Sequence, residues 1–187
     1  MAKNLKTKVI TGIVRLSYPH IWEPDSFNGS EPKYTAAFII PKSDKQTVKE
    51  IEAAIDAAIE EGVTKKYGGV RPDKNSKSFW NPLRDGDTER NDEAYANAFF
   101  VNAKSKSAPQ VVDRNVKPIL ERDEVYSGCY VRASLTFYPY ASNGSKGVAC
   151  SLGNIQKVRD GEPLGSRSNA EDDFTALDGD SDTSFLA

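Results

Sequence analysis

Residues 124–161, EVYSGCYVRASLTFYPYASNGSKGVACSLGNIQKVRDG, constrain the fold more than any other stretch of the chain. Asn143-Gly144 lies between two runs of strand-forming residues. This is the strongest short-range hairpin signal, because a type I′ turn needs positive φ at both central positions. Successive strand side chains point to opposite faces, so the first arm sorts by parity. Cys129, Val131, Ala133, Leu135 and Phe137 form an apolar series that requires a core, and Val148, Cys150 and Leu152 continue it on the return arm. Tyr130, Arg132, Ser134, Thr136, Tyr138 and Tyr140 share the opposite face. Gly153-Asn154 reads as a bulge that re-aims Ile155 and Val158.

Two readings fit the polar face. Rings interleaved with a cation and hydroxyls suit the stacking of unpaired bases while phosphates are neutralised. Tyrosine is also a good strand former with an amphipathic ring, so an ordinary solvated strand has the same look.

The rest of the chain weighs on that choice. Its 187 residues are 38% hydrophobic and 28% charged, enough for one domain with a sizeable core and a polar appendage. No apolar run approaches the ~18 residues of a membrane helix, and the start MAKNLKTK lacks the apolar centre of a signal peptide. Cys129 and Cys150 both fall on the apolar parity and do not oppose each other about the turn, which predicts reduced core thiols and a cytoplasmic protein. A single histidine, His20, leaves no ordinary zinc site.

The net charge of −2 conceals an asymmetry. Residues 170–187 hold 6 acids and no Lys or Arg, leaving 25 basic and 21 acidic residues before them, a net charge of +4. A basic body with an acidic tail points to a body that meets a polyanion and a tail outside the fold. The expected division is a domain over residues 1–165 and a disordered tail over 166–187. Asp172, Asp173, Asp178, Asp180 and Asp182 with Phe174 and Phe185 give that tail both charge and apolar anchors. It reads either as a solubility tail or as a docking segment that also competes with nucleic acid at the basic face.

Taken in order, the chain predicts a strand over 9–18 with a bend at Gly12, its Ile10, Val14, Leu16 and Tyr18 on one parity and Arg15 on the other. A second strand over 33–40 puts Tyr34, Ala36, Phe38 and Ile40 on one face. A helix follows, with Ser43 as N-cap in a capping box with Gln46, an apolar stripe at Val48, Ile51, Ile55 and Ile59, and Gly62 as its stop. Residues 63–92 are rich in loops, cations and aromatics. Phe79 and Trp80 there read equally as part of an arm closing over nucleic acid or as plugs in a barrel end. Asp85, Asp87 and Glu89 invite a metal, yet the loop lacks the glycine and the final Glu of an EF-hand, with Ala96 in the latter's place, so it reads as a solvated turn. A third strand spans 94–103, and Lys104 to Lys106 form a basic tip.

This order predicts a mainly β fold: a five-stranded OB-fold-like barrel with one α-helix after the second strand and a long C-terminal hairpin. A β-sandwich is the alternative. One histidine, no G-x-S-x-G and no P-loop argue against an enzyme, and no cofactor is implied.

The segments Asp85-Gly86-Asp87, Pro109-Gln110-Val111-Val112-Asp113, Tyr126-Ser127-Gly128-Cys129-Tyr130-Val131, Gly147-Val148 and Gln156-Lys157-Val158-Arg159-Asp160-Gly161 resemble those of bacteriophage single-stranded DNA-binding proteins. The overall plan is similar to the acid-tailed replication proteins of podophages. The resemblance implies an OB-fold, sequence-tolerant binding of single-stranded DNA, and a role in phage DNA replication or recombination in the host cytoplasm. It also implies replication partners for the tail (a polymerase, helicase or primase), and it leaves room for a homodimer. In the related acidic tails a large apolar residue comes last; here Phe185 stands third from the end.

Strand parity supplies the contact residues. Tyr130, Tyr138 and Tyr140, with Trp80 and Phe100, are expected to stack on bases, and Arg15, Lys104, Lys106, Arg132 and Lys146 to meet phosphates. The alternatives are an OB-like protein-interaction module and a strand-annealing recombination protein.

Overall fold

The computed structural model of the chain describes residues 6–26, 29–164 and 174–177. Their elements are β1 (Lys8–Ile10), β2 (Val14–Asp25), β3 (Lys33–Pro41), α1 (Lys45–Lys65), β4 (Phe79–Trp80), β5 (Arg84–Asp85), a single turn α2 (Gly86–Glu89), β6 (Ala98–Ser105), β7 (Val111–Val112), β8 (Tyr130–Ser142) and β9 (Ser145–Arg159). The predicted hairpin is β8–β9. Ser142 pairs with Ser145 across the turn, with φ of 50° at Asn143 and 79° at Gly144. Its apolar parity faces inward as expected: Cys129, Val131, Ala133, Leu135, Phe137, Val148, Cys150 and Leu152 are all buried. The bulge is present too. The register jumps between Ala133 and Leu135, and the Asn154 N–H donates to Ser134 Oγ at 2.7 Å.

Five strands close on themselves. β8 pairs with β2, β2 with β3, β3 with β6, β6 with β9, and β9 again with β8. All these pairings are antiparallel except β6–β9, joined at Lys104 and Ser151. This is the five-stranded barrel of an OB-fold. The core inside is continuous with the buried stripe of α1, whose Ile51, Ala54, Ile55, Ala58 and Ile59 pack toward β8, β1 and β9. Each large aliphatic side chain buried there contributes roughly 1.5–3 kcal/mol. Where β6 and β9 diverge, residues 79–85 fill the gap, β4 lying along β9 and β5 along β6.

Several local expectations needed correction. The strand predicted over 9–18 breaks after Ile10. Its Thr11 exchanges bonds with Ala133 (Thr11 N–H to the carbonyl, 2.9 Å; Ala133 N–H to Thr11 Oγ1, 3.0 Å), and the Gly12 N–H donates to Thr47 Oγ1 at 2.9 Å. Parity restarts after this break, so Val9 is buried and Ile10 lies outside. β2 then runs past Pro19, accommodated by a register shift around Tyr18 at φ 46°. The helix is capped by Asp44 rather than Ser43, because the Asp44 carboxylate accepts from both the N–H and the hydroxyl of Thr47. Gln46 donates instead to Glu50. Gly62 does not stop α1, which continues to Lys65; a side chain at 62 would strike the Tyr67 ring and Pro139.

The third strand begins at Ala98 rather than 94. Residues Glu93–Tyr95 form a 3-10 turn whose Tyr95 hydroxyl donates to Ser17 Oγ at 2.9 Å. Tyr95 covers the outside of the barrel with Ile39, Ala98 and Phe100 in a second small core. For that reason residues 36–40 of β3 are buried on both faces.

Candidate nucleic-acid interface

Outside the barrel, register carries the polar face of β8 across its neighbours. Tyr140 pairs with Gly147, which pairs in turn with Trp80 on β4. Tyr138 lies across from Ala149, and Thr136 from Ser151, whose other neighbour is Lys104 on β6. Lys8 adjoins Thr136 on the opposite edge. Alternate residues of β9 (Gly147, Ala149, Ser151, Gly153) are small, while Val148, Cys150 and Leu152 between them fill the core. The outcome is a lane of small side chains along β9, half-buried at Ala149, Ser151 and Gly153, with Trp80, Tyr138 and Tyr140 near the hairpin tip and Lys104 on the other side of Ser151 from Thr136.

Two of these rings are exposed and Tyr140 is half-buried. Trp80 is 43% exposed and Tyr138 37%, whereas Phe79 beside Trp80 is buried in the core against Tyr67. Of the two readings of Phe79-Trp80, Phe79 takes that of a plug, while Trp80 stays outside the core. Gly147 has to be a glycine, since a Cβ would lie 2.6 Å from Trp80 Cβ and 3.0 Å from the Tyr140 ring. The Tyr67 hydroxyl donates to Gly147 O at 2.6 Å from beneath, and burial pushes that phenol up to about 12. Burial also raises the Tyr138 phenol, so both rings are neutral donors at ordinary pH.

The cations divide into engaged and available groups. Lys104 and Lys146 are exposed, and Lys106 is exposed and 3.4 Å from Glu31. Arg132 is exposed on β8, with its Nε–H on Thr11 O at 3.0 Å. Arg15 is engaged. It donates to the carbonyls of Gly128 (3.1 Å) and Glu162 (2.6 Å) and lies 5.7 Å from the Tyr130 ring centre. Arg159 covers Tyr130 from the opposite neighbouring strand at 4.4 Å. Tyr130 and Arg15 thus fasten the segment after β9 to the barrel, helped by the Tyr126 hydroxyl, which donates to Gly161 O at 2.9 Å. Phe100, expected to stack on bases, is 4% exposed and meets Tyr95 edge-on at 5.2 Å, so it offers no face to a base.

The acidic loop at 85–89 is a braced turn. Lys42 Nζ lies 2.8 Å from Asp85 and 2.7 Å from Asp87, and its hydrogen bonds hold both carboxyls below the usual range. One residue that parity reasoning passed over stands out here. The Arg84 guanidinium lies 4.3 Å from the centre of the Trp80 ring, with its Nε–H on Glu89 Oε2 at 2.9 Å and a second Glu89 contact through NH2. Its spacing from Trp80 is not periodic, because it depends on β4 and β5 bridging two strand edges. In the tail, Phe174 and Leu177 are exposed; Asp172, Asp173, Asp178, Asp180, Asp182 and Phe185 lie outside the described residues.

Known proteins share this architecture. The chain is similar to the single-stranded DNA-binding protein from bacteriophage Enc34, solved in complex with ssDNA, with a TM-score of 0.74 at 22% identity over 85% of this chain and 90% of that one. It is also similar to gp2.5, the single-stranded DNA binding protein encoded by bacteriophage T7, with a TM-score of 0.59 at 16% identity over 90% and 94% of the two chains. In sequence it is 41% identical over 162 residues to protein p50 of Acyrthosiphon pisum secondary endosymbiont phage 1, covering 83% of this chain and 85% of that protein. The family model described as Enterobacter phage Enc34, ssDNA-binding protein, matches residues 7–186, and the chain belongs to that family.

Proposed function

We propose that the chain binds single-stranded DNA along the lane over β9, with little base preference, in phage DNA replication or recombination. One observation carries the reading: the exposed rings of Trp80 and Tyr138 and the half-buried ring of Tyr140 border a strip of small side chains flanked by Lys104 and Arg132, with Lys146 exposed on the other face of the hairpin tip. Every base has a π-face, so stacking at about 1–3 kcal/mol per base is tolerant of sequence. From Tyr138 to Arg132 the face runs about 20 Å at the usual strand rise. The Enc34 relative, solved with ssDNA bound, supports the same ligand class.

Lysine and arginine side chains along the lane neutralise phosphates. Four such contacts give a slope of log K against log[salt] near −3, at about −0.7 per phosphate for single strands. The acidic tail, with Phe174 and Leu177 exposed, docks replication proteins and competes with DNA for the basic face.

The test is fluorescence anisotropy of labelled oligo-dT about 30 nucleotides long, long enough for an OB-fold site, against a duplex of the same length, using the full chain and residues 1–165. Preference for the single strand, with tighter binding after tail removal, supports the reading. Absence of binding at low salt by both chains overturns it in favour of a protein-interaction module.

A further inference from the structure

The cations that lie against rings differ in what holds them. Arg15 donates to two backbone carbonyls, and moving it would leave those acceptors without their partner and loosen residues 160–164. Arg84 is held by a carboxylate fork: Nε and NH2 both donate to Glu89, and NH1 reaches Asn81 O at 3.3 Å. A fork of this shape is the one that guanidinium also makes with phosphate. Glu89 is partly solvent-exposed at the end of the single turn α2, so water can take over its carboxylate when the fork opens. Exchanging one anion for another at Arg84 therefore breaks nothing in the fold. Trp80 holds the guanidinium in place meanwhile, with the ring centre 4.3 Å away, and its strand partner Gly147 begins the lane.

We infer that Arg84 is a phosphate-binding residue of the interface and that Glu89 occupies the phosphate position until a nucleic-acid strand displaces it. The inference rests on the single-strand reading and adds to it a contact that strand parity does not reveal. A base stacked on Trp80 brings its own phosphate within the reach of Arg84, and the released Glu89 turns to solvent. Glu89 thereby weakens binding of a single strand that reaches Arg84 and has less effect on a duplex, which cannot place a phosphate beside a stacked ring.

The experiment uses the full chain in three forms, unaltered, Glu89→Gln and Arg84→Gln, with melting curves to verify folding. Each is titrated with oligo-dT and with duplex across a salt series. Glu89→Gln should tighten oligo-dT binding about two- to fivefold, the scale of one exposed ion pair, with a smaller proportional gain for duplex. Arg84→Gln should weaken oligo-dT binding and reduce the salt slope by about 0.7, one phosphate. If the unaltered chain binds oligo-dT but Glu89→Gln binds equally or more weakly, Glu89 merely braces Arg84 and the inference is wrong. An unchanged slope in Arg84→Gln overturns it as well. Failure of the unaltered chain to bind would instead strike the underlying reading.

Discussion

Phe79 and Trp80 are neighbours in sequence with opposite fates, which makes them a paired test of the interface. Trp80→Ala removes a ring that is 43% exposed on the outside of the barrel, while its backbone pairing with Gly147 remains. Little core is lost, so the stability change should stay below about 1 kcal/mol, as for most surface substitutions. The loss of one stacked base is worth about 1–3 kcal/mol, or roughly 5- to 150-fold in affinity for oligo-dT. Phe79→Ala does the reverse. Its ring is 6% exposed and packs against Tyr67 at 6.2 Å, so truncation should cost about 3–5 kcal/mol of stability. Below its melting transition this variant should bind oligo-dT within about threefold of the unaltered chain, a change of well under 1 kcal/mol. Urea denaturation followed by circular dichroism reads the first quantity, and anisotropy the second. Equal affinity in Trp80→Ala, or a folded Phe79→Ala that has lost binding, would refute the assignment of inward and outward faces on which the interface depends.

Other consequences follow from the same geometry. Ala149→Leu puts a branched side chain in the lane and should weaken oligo-dT binding at least tenfold, the equivalent of about 1.4 kcal/mol, with an unchanged melting temperature; undiminished binding would place the strand elsewhere. Asp44→Ala removes the acceptor for Thr47 and should lower stability by about 0.5–2 kcal/mol, whereas Ser43→Ala should leave stability unaltered in the same melt. Lys42 holds the Asp85 and Asp87 carboxyls below their ordinary value, so their contribution to stability is present above about pH 4 and fades as pH falls through the lowered folded values. Lys42→Met should flatten that acid limb of the stability profile, and an identical limb in both proteins would show the pairing to be inert.

The hairpin was legible because its signals are local. Asn143-Gly144 fixes the turn, and strict alternation fixes which side chains enter the core. The bulge at Gly153-Asn154 could be read for the same reason. What sequence could not reveal depended on distant partners. Asp44 displaces Ser43 as the cap because Thr47 is also bonded by Gly12 across the barrel mouth. Phe100 has the outward parity of a candidate stacker, yet the turn at Glu93–Tyr95 folds over it and buries it. Tyr130 has the parity of a platform too, but the two strands flanking β8 each supply an arginine to its ring. Parity says which way a side chain points; it does not say what already waits there. Arg84 is not legible for the complementary reason, because it lies against a ring four residues away that a bridging segment brings alongside.

In the proposed interface the DNA strand runs over β9 beside Trp80, Tyr138 and Tyr140. Photo-crosslinking of the full chain to oligo-dT carrying a single 4-thiothymidine, with the adducts located by mass spectrometry, tests it most directly. Adducts concentrated on peptides containing Trp80 and residues 138–151 are the predicted result. Efficient crosslinking confined to residues 18–25 and 33–36, on the far strands of the barrel, would contradict it.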